Sequence, residues 1–237
     1  MAVGVRALAF DVFGTVVDYR SSIILEGLAW NEQKGISVDW SEFADAWRGQ
    51  YRPNMDRVMS GELPWMNIDR LHRMALDELL VRFEIADAFT EAEKQRLNQV
   101  WHRLRPWGDS IPGLSRMRQT YTLATLSNGN VALLANMAKH SGLPWDVILS
   151  AELIRAYKPD PAVYKAAAEF LGCEPGQVMM VAAHENDLLA AKAAGMKTAL
   201  ILRPLEFGFN RPFHVSQPLS YDFVANDLCH LADQILD

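Results

Sequence analysis

The stretch from Val5 to Asp18 constrains the fold more than any other part of the chain. Val5 to Phe10 is a short, mostly apolar run that ends at a carboxylate, Asp11, with Gly14 and Thr15 close behind. Such a run reads as a buried strand, and it delivers Asp11 to the strand's carboxyl end, where open α/β sheets place their ligand sites. Gly14 lets the backbone turn sharply, and Thr15 sets a hydroxyl beside the acid. A strand-end Asp is also a common cap or turn residue, so its meaning depends on the rest of the chain.

After Asp18 the pattern turns helical and stays so to about Trp107. Ile23 to Lys34 forms a helical segment broken by Gly27 and closed by Gly35. Ser41 stands as an N-cap before the amphipathic spacing of Phe43, Ala46, Trp47 and Tyr51, and Pro53 interrupts that helix. Ile68, Leu71, Ala75 and Leu79 mark another face. Thr90 and Glu93 form a capping box for a helix running to about Leu104. From Pro112 strands and helices alternate. The strands are Thr122 to Leu126, Val147 to Leu149, Val178 to Ala182 and Thr198 to Leu202. The helices are Val131 to His140, Pro161 to Leu171 and Leu188 to Ala194, and a last strand and helix occupy Phe223 to Leu236. The alternation predicts an α/β fold: a Rossmann-like, mostly parallel sheet with helices on both faces and an inserted all-helical unit. Residues 1–18 and 108–237 are assigned to the core and 19–107 to the insertion.

The 237 residues suffice for such a core with a smaller insertion, and half of them are hydrophobic. A net charge of -6 without a basic run argues against nucleic acid as a partner. Cys173 and Cys229 make neither a disulfide framework nor a four-ligand zinc site, and read as buried thiols in a reduced compartment. The start of the chain lacks a charged region followed by a long apolar stretch, and no segment is long enough to span a bilayer. The expectation is a soluble cytoplasmic protein without a membrane partner.

Several polar groups fall at the strand ends or the loops after them: Asp11 with Thr15, Ser127 with Asn128, Lys158, and His184 with Asp187. Each is ordinary alone, since Ser-Asn-Gly is a common turn and Lys-Pro a common surface loop. In this order on βα units they converge on one crevice. A carboxylate in a dry pocket is pushed toward its neutral form, and an ammonium such as Lys158 keeps it ionised and oriented.

These motifs resemble the haloacid dehalogenase-like hydrolases over nearly the whole chain, and most closely the L-2-haloacid dehalogenases. The matches are motif one around Asp11, Trp47-Arg48 on the second helix of the insertion, Ser127-Asn128, Lys158-Pro159 and Tyr164. The resemblance makes the helical insertion a cap domain and Asp11 a covalent nucleophile on C2 of a 2-halocarboxylic acid. Arg48, with Asn128 and Phe13, would receive the halide ion. Ser127 and Lys158 would bind the substrate carboxylate, Lys158 would also pair with Asp11, and Tyr164 would line or brace the pocket; by its chemistry alone the Thr15 hydroxyl can hold a substrate carboxylate or the attacking oxygens, or satisfy backbone groups at the strand end. It implies no metal, no cofactor and a homodimer.

Two departures carry chemical meaning. Most phosphatases of the superfamily hold a second Asp two residues after the nucleophile, as general acid for an alkoxide leaving group; here that place is Phe13. A halide leaves without a proton, so Phe13 suits halide displacement better than ester cleavage. In the last motif Ala182 and His184 replace the Ser and Asn of the best-known members, while Asp187 keeps the acid. Asp187 would orient or deprotonate the hydrolytic water. His184 shares that role, holds the water, or only hydrogen-bonds its loop. Glu185 with Asp187 as Mg²⁺ ligands would instead fit a phosphatase, and the altered motif leaves a lapsed hydrolase acting as a binding module as a further alternative.

Overall fold

The computed structural model describes residues 2–209 and 221–236. Strand β1 (Ala7–Phe10) is buried along its whole length and lies in the middle of a six-stranded sheet. On one side it pairs with β4 (Thr122–Ser127), which pairs with β5 (Val147–Ser150). On the other side follow β6 (Val178–Ala182), β7 (Lys197–Ile201) and β8 (Phe223–Ala225). All five pairings are parallel. Such a sheet needs cover on both faces, because parallel connections place helices there.

The period-two alternation of a strand assigns residues to those faces. Leu8, Phe10, Met179, Val181 and Ile201 pack with α5 (Ser110–Met117), α6 (Val131–Ser141) and α9 (Leu228–Leu236). Ala9, Ala124, Met180, Ala182 and Leu200 pack with α7 (Pro161–Phe170) and α8 (Glu185–Ala193).

The chain leaves β1 through a turn at Gly14, whose φ of 83° lies in the left-handed region. It then forms a two-residue strand, β2 (Val17–Asp18), which pairs antiparallel with β3 (Arg105–Pro106). The helical segment therefore leaves and re-enters the sheet at one place. Between the two strands lie α1 (Tyr19–Lys34), α2 (Trp40–Met59), α3 (Ile68–Arg82) and α4 (Glu91–Asn98).

Several local expectations change. The strand β3 interrupts a region expected to be wholly helical up to Trp107. Asp39, not Ser41, caps α2: its carboxylate accepts the N–H groups of Ser41 and Glu42, an anion at the positive end of the helix. Pro53 does not end α2, which continues to Met59 because Met55 and Val58 beyond it are buried. Packing outweighs the hydrogen bond that Pro cannot donate. The Thr90–Glu93 capping box forms, but α4 stops at Asn98 and a 3₁₀ turn, Gln99–His102, completes the segment. Helix α8 begins at Glu185, not Leu188, so Asp187 rides on its first turn.

Gly27 on α1 lies against the Trp40 indole, and a Cβ there would fall 1.9 Å from Trp40 Cδ2. Helix propensity alone favours Gly27→Ala by about 1 kcal/mol. The steric conflict reverses the sign: the variant is expected to lose about 1–3 kcal/mol, read as a lower denaturation midpoint in urea.

Candidate active site

Asp11, Asn128 and His184 stand just past the carboxyl ends of β1, β4 and β6, three neighbouring strands. They line one cavity of about 300 Å³. Lys158, on the loop before α7, enters it from one side, and Arg48 and Tyr51 reach it from α2. Side chains from remote parts of the sequence thus meet because the central strands end together.

The centre is a carboxylate network around Lys158. Its Nζ lies 2.9 Å from Asp11 Oδ1 and also donates to Asp187 Oδ2. Asp11 Oδ2 accepts from the Thr15 hydroxyl at 2.8 Å and meets His184 Nδ1 at 3.0 Å. Thr15 Oγ1 in turn accepts the Ala183 N–H, which ties β1 to the loop after β6. Burial alone would push the Asp11 carboxyl up, but Lys158 and His184 overcome it and hold the group well below the carboxylate range. Asp187 goes the other way: burial and the nearby Asp11 charge raise it against the pull of Lys158. The Lys158 ammonium, disfavoured by burial, is stabilised by both carboxylates and stays charged.

Tyr164 is fully buried and donates its hydroxyl to Asp187 Oδ1 at 2.6 Å. Asn128 braces the Lys158 loop, its Oδ1 accepting the Lys158 N–H at 2.7 Å. Ser127 is buried outside the cavity lining, with its oxygen accepting from Gly129 N. Phe13 lines the cavity and leans on an aromatic layer, edge-on to Tyr51 and Trp101.

Arg48 is held between the faces of Tyr51 and Tyr19, 4.4 Å and 5.0 Å from the ring centroids. It lines the same cavity as Asp11, and its Nη1 is buried with no hydrogen-bond partner among the described residues. A buried guanidinium nitrogen without an acceptor is costly, and guanidinium groups pair strongly with anions.

Three residues of this environment carry no motif signal. Glu206, in the loop after β7, is 3% exposed and meets His184 Nε2 at 2.9 Å. Arg203 anchors that loop, with a bidentate pair to Asp109 at 2.8 and 2.7 Å and a hydrogen bond to the Thr15 carbonyl. His72 stacks on Trp101 behind Phe13 and is kept neutral by burial, its pKa lowered to about 3. The one sequence trace of Glu206 is Gly14, where a Cβ would fall 2.2 Å from Glu206 Oε1.

Burial opposes a charge on His184, but Glu206 on one nitrogen and Asp11 on the other raise its pKa to about 10. At neutral pH it is an imidazolium that donates from both ring nitrogens. For metal ligation, no group of three or more His, Cys, Asp or Glu side chains is gathered among the described residues. Glu185 accepts from the Tyr221 hydroxyl at 3.1 Å.

A buried carboxylate at a strand end, a lysine bridging it to a second carboxylate and a helical layer closing the crevice define a class of hydrolase. The haloacid dehalogenase-like hydrolase family matches residues 5–195, and the chain belongs to that family. Within it, the crystal structure of an L-2-haloacid dehalogenase is 46% identical, with a TM-score of 0.94 over 98% of this chain and 99% of that one. A defluorinating L-2-haloacid dehalogenase is 43% identical, with a TM-score of 0.95 over 98% of this chain and 96% of that one. The (S)-2-haloacid dehalogenase 1 of Pseudomonas sp. (strain CBS-3) is 29% identical, aligned over 91% of this chain and 94% of its own. No helix among the described residues is long and apolar enough to cross a membrane.

The His184 titration is directly measurable. Its folded pKa of about 10 exceeds the value of 6.5 for an unperturbed histidine. The stability it contributes is therefore complete below about pH 6.5 and lost as pH rises through about 10. NMR of labelled histidine should place the midpoint near pH 10 and show it lower in Glu206→Gln; a wild-type midpoint near 6.5 would separate His184 from both carboxylates.

Proposed function

We propose that this protein hydrolyses the carbon–halogen bond of short 2-haloalkanoic acids, releasing halide and a 2-hydroxy acid through an aspartyl ester on Asp11. The observation that carries this reading is the pairing, across one cavity, of an ionised carboxylate with an arginine that forms no ion pair among the described residues. Phe13 adds the negative argument, since it offers no proton to an alkoxide leaving group. The relatives named above are haloacid dehalogenases, which supports the same substrate class.

In the first step an Asp11 oxygen attacks C2 from the side opposite the halogen. A C–O bond forms, the carbon–halogen bond breaks, and the halide leaves with the bonding pair. Oδ1 is the freer oxygen, because it has Lys158 as partner while Oδ2 meets both Thr15 and His184. Backside displacement inverts C2. Arg48, which forms no ion pair among the described residues, receives the halide, with Asn128 and Phe13 beside it. Lys158 attracts the substrate carboxylate. Ser127, whose oxygen is committed to Gly129, shapes the loop that presents Asn128. The apolar layer behind Phe13 keeps bulk water from the ester.

In the second step water adds to Cγ of the ester. Asp187, with its raised pKa, takes the proton while Tyr164 fixes its orientation. Negative charge develops on Oδ2, where the Thr15 hydroxyl and His184 Nδ1 stand as donors. Both His184 nitrogens are engaged, so His184 acts as a charged donor that Glu206 keeps protonated, rather than as a base. Collapse breaks the Cγ–Oδ1 bond, the departing alkoxide recovers the proton from Asp187, and Asp11 returns to its carboxylate by releasing the other.

We also assign 1–18 with 108–237 to a core domain and 19–107 to a cap, and place the protein in the cytoplasm as a homodimer. Support for the domain division is the β2–β3 pair that holds both ends of the helical segment.

Halide release from chloro-, bromo- and fluoroacetate and both 2-chloropropionate enantiomers tests the reading. Turnover should persist in EDTA and vanish in Asp11→Asn. Arg48→Ala should lower kcat by roughly 10²–10³, the scale for one electrostatic donor at a developing charge. His184→Ala should accumulate a covalent adduct on Asp11 by mass spectrometry. Absence of halide release from every substrate, or activity toward phosphate esters that EDTA abolishes and Mg²⁺ restores, would overturn it.

A further inference from the structure

Of the residues lining the cavity, Arg52, Met55, Lys158 and Pro159 also border a smaller groove of about 180 Å³. Tyr51 belongs to the main cavity alone, and neither chemical step uses it. It follows Arg48 on α2 by three residues, so the two side chains share one face of the helix.

Four of the other tyrosines give their hydroxyl proton to an acceptor within the protein. Tyr121 donates to the Ile235 carbonyl at 2.9 Å, Tyr157 to the Met66 carbonyl, Tyr164 to Asp187 at 2.6 Å and Tyr221 to Glu185 at 3.1 Å. Tyr51 has no such acceptor among the described residues. Burial raises the proton affinity of its phenol against the pull of Arg48 and of the Asn128 amide, so it keeps its proton at neutral pH. Asn128 meets the hydroxyl as a donor and leaves that proton uncommitted.

The surroundings of Tyr51 are the groups to which the dehalogenase reading gives the halide. The Arg48 guanidinium lies 4.4 Å from its ring centroid, Phe13 packs edge-on at 6.2 Å, and Asn128 stands at the hydroxyl. An ion held between the guanidinium and the amide is within reach of that O–H.

We infer that the Tyr51 hydroxyl is a further donor to the departing halide, beside Arg48 and Asn128, and that it sets the preference among halogens in favour of fluoride. The inference rests on the dehalogenase reading, which supplies the halide. A donor aimed at the leaving group acts on charge that appears only as the carbon–halogen bond breaks. Fluoride is the smallest and most strongly hydrated halide, accepts the strongest hydrogen bonds and leaves the strongest carbon–halogen bond. The diffuse charge of bromide gains little from one more O–H. The proton stays on Tyr51 throughout, because hydrogen fluoride is a far stronger acid than a phenol.

Tyr51→Phe keeps the ring against Arg48 and removes only the hydroxyl. The test compares kcat/KM for fluoroacetate and bromoacetate, from fluoride and bromide release, in the wild type and this variant. Fluoroacetate turnover should fall roughly 10–100-fold, the scale of one hydrogen bond to a charged group, and bromoacetate turnover by no more than about threefold. Added sodium fluoride should inhibit bromoacetate turnover more weakly in the variant than in the wild type. Equal losses for the two substrates, unchanged fluoroacetate turnover, equal inhibition by fluoride, or a wild type that releases bromide but no fluoride overturns the role of Tyr51 and leaves the dehalogenase reading standing. A wild type that releases neither halide strikes the dehalogenase reading itself.

Discussion

The site depends on one ammonium shared by two buried carboxylates. Without Lys158, Asp11 and Asp187 would be like charges in a poorly hydrated pocket, and at least one would take up a proton. With it, the two acids are driven apart in proton affinity: Asp11 is held ionised while Asp187 is raised. One pair of identical side chains thus gains two proton affinities, one carboxylate held ionised and one raised toward the neutral form. Much of the surrounding architecture serves to hold that lysine. Asn128 fixes its backbone, Tyr164 fixes Asp187, and Thr15 fixes Asp11.

The remaining charges form a second tier. His184 lies between Asp11 and Glu206, and Arg48 lies between two tyrosine rings. Asp11, Asp187 and Glu206 are offset by Lys158, His184 and Arg48. The difference between the cations is geometric. Lys158 and His184 are each paired with two carboxylates, whereas Arg48 keeps a buried nitrogen without an acceptor among the described residues. That nitrogen's hydrogen-bonding capacity stays open among the described residues. The charge of Arg48 is not spent elsewhere because the aromatic faces around it accept a cation without neutralising it.

The motif residues were legible because each belongs to a short pattern with a local cause. An apolar run ending in Asp11, a Ser-Asn-Gly turn after a strand and a Lys-Pro pair before a helix can each be read within a few residues. Helix existence was legible for the same reason, and helix boundaries were not. Pro53 passes through α2 and Asp39 displaces Ser41 as its cap, because burial of Met55 and the geometry of one carboxylate decided those positions. Glu206 was illegible: it lies 22 residues beyond His184 in a loop without periodicity, and Arg203 places it through a pair with Asp109, 94 residues away.

From its amino acids alone the chain determined the parallel sheet, the helical insertion and the residue types available at the strand ends. Those follow from periodicity and short-range chemistry, which the backbone enforces wherever it lies. Only the tertiary structure decided the ionic character of those residues. It seated a glutamate behind His184, left an arginine nitrogen without a partner among the described residues, removed Ser127 from the cavity wall and joined a second groove to the first. A side chain's proton affinity and its free hydrogen bonds depend on what stands a few ångströms away, and in a folded chain those neighbours come from segments far apart in sequence.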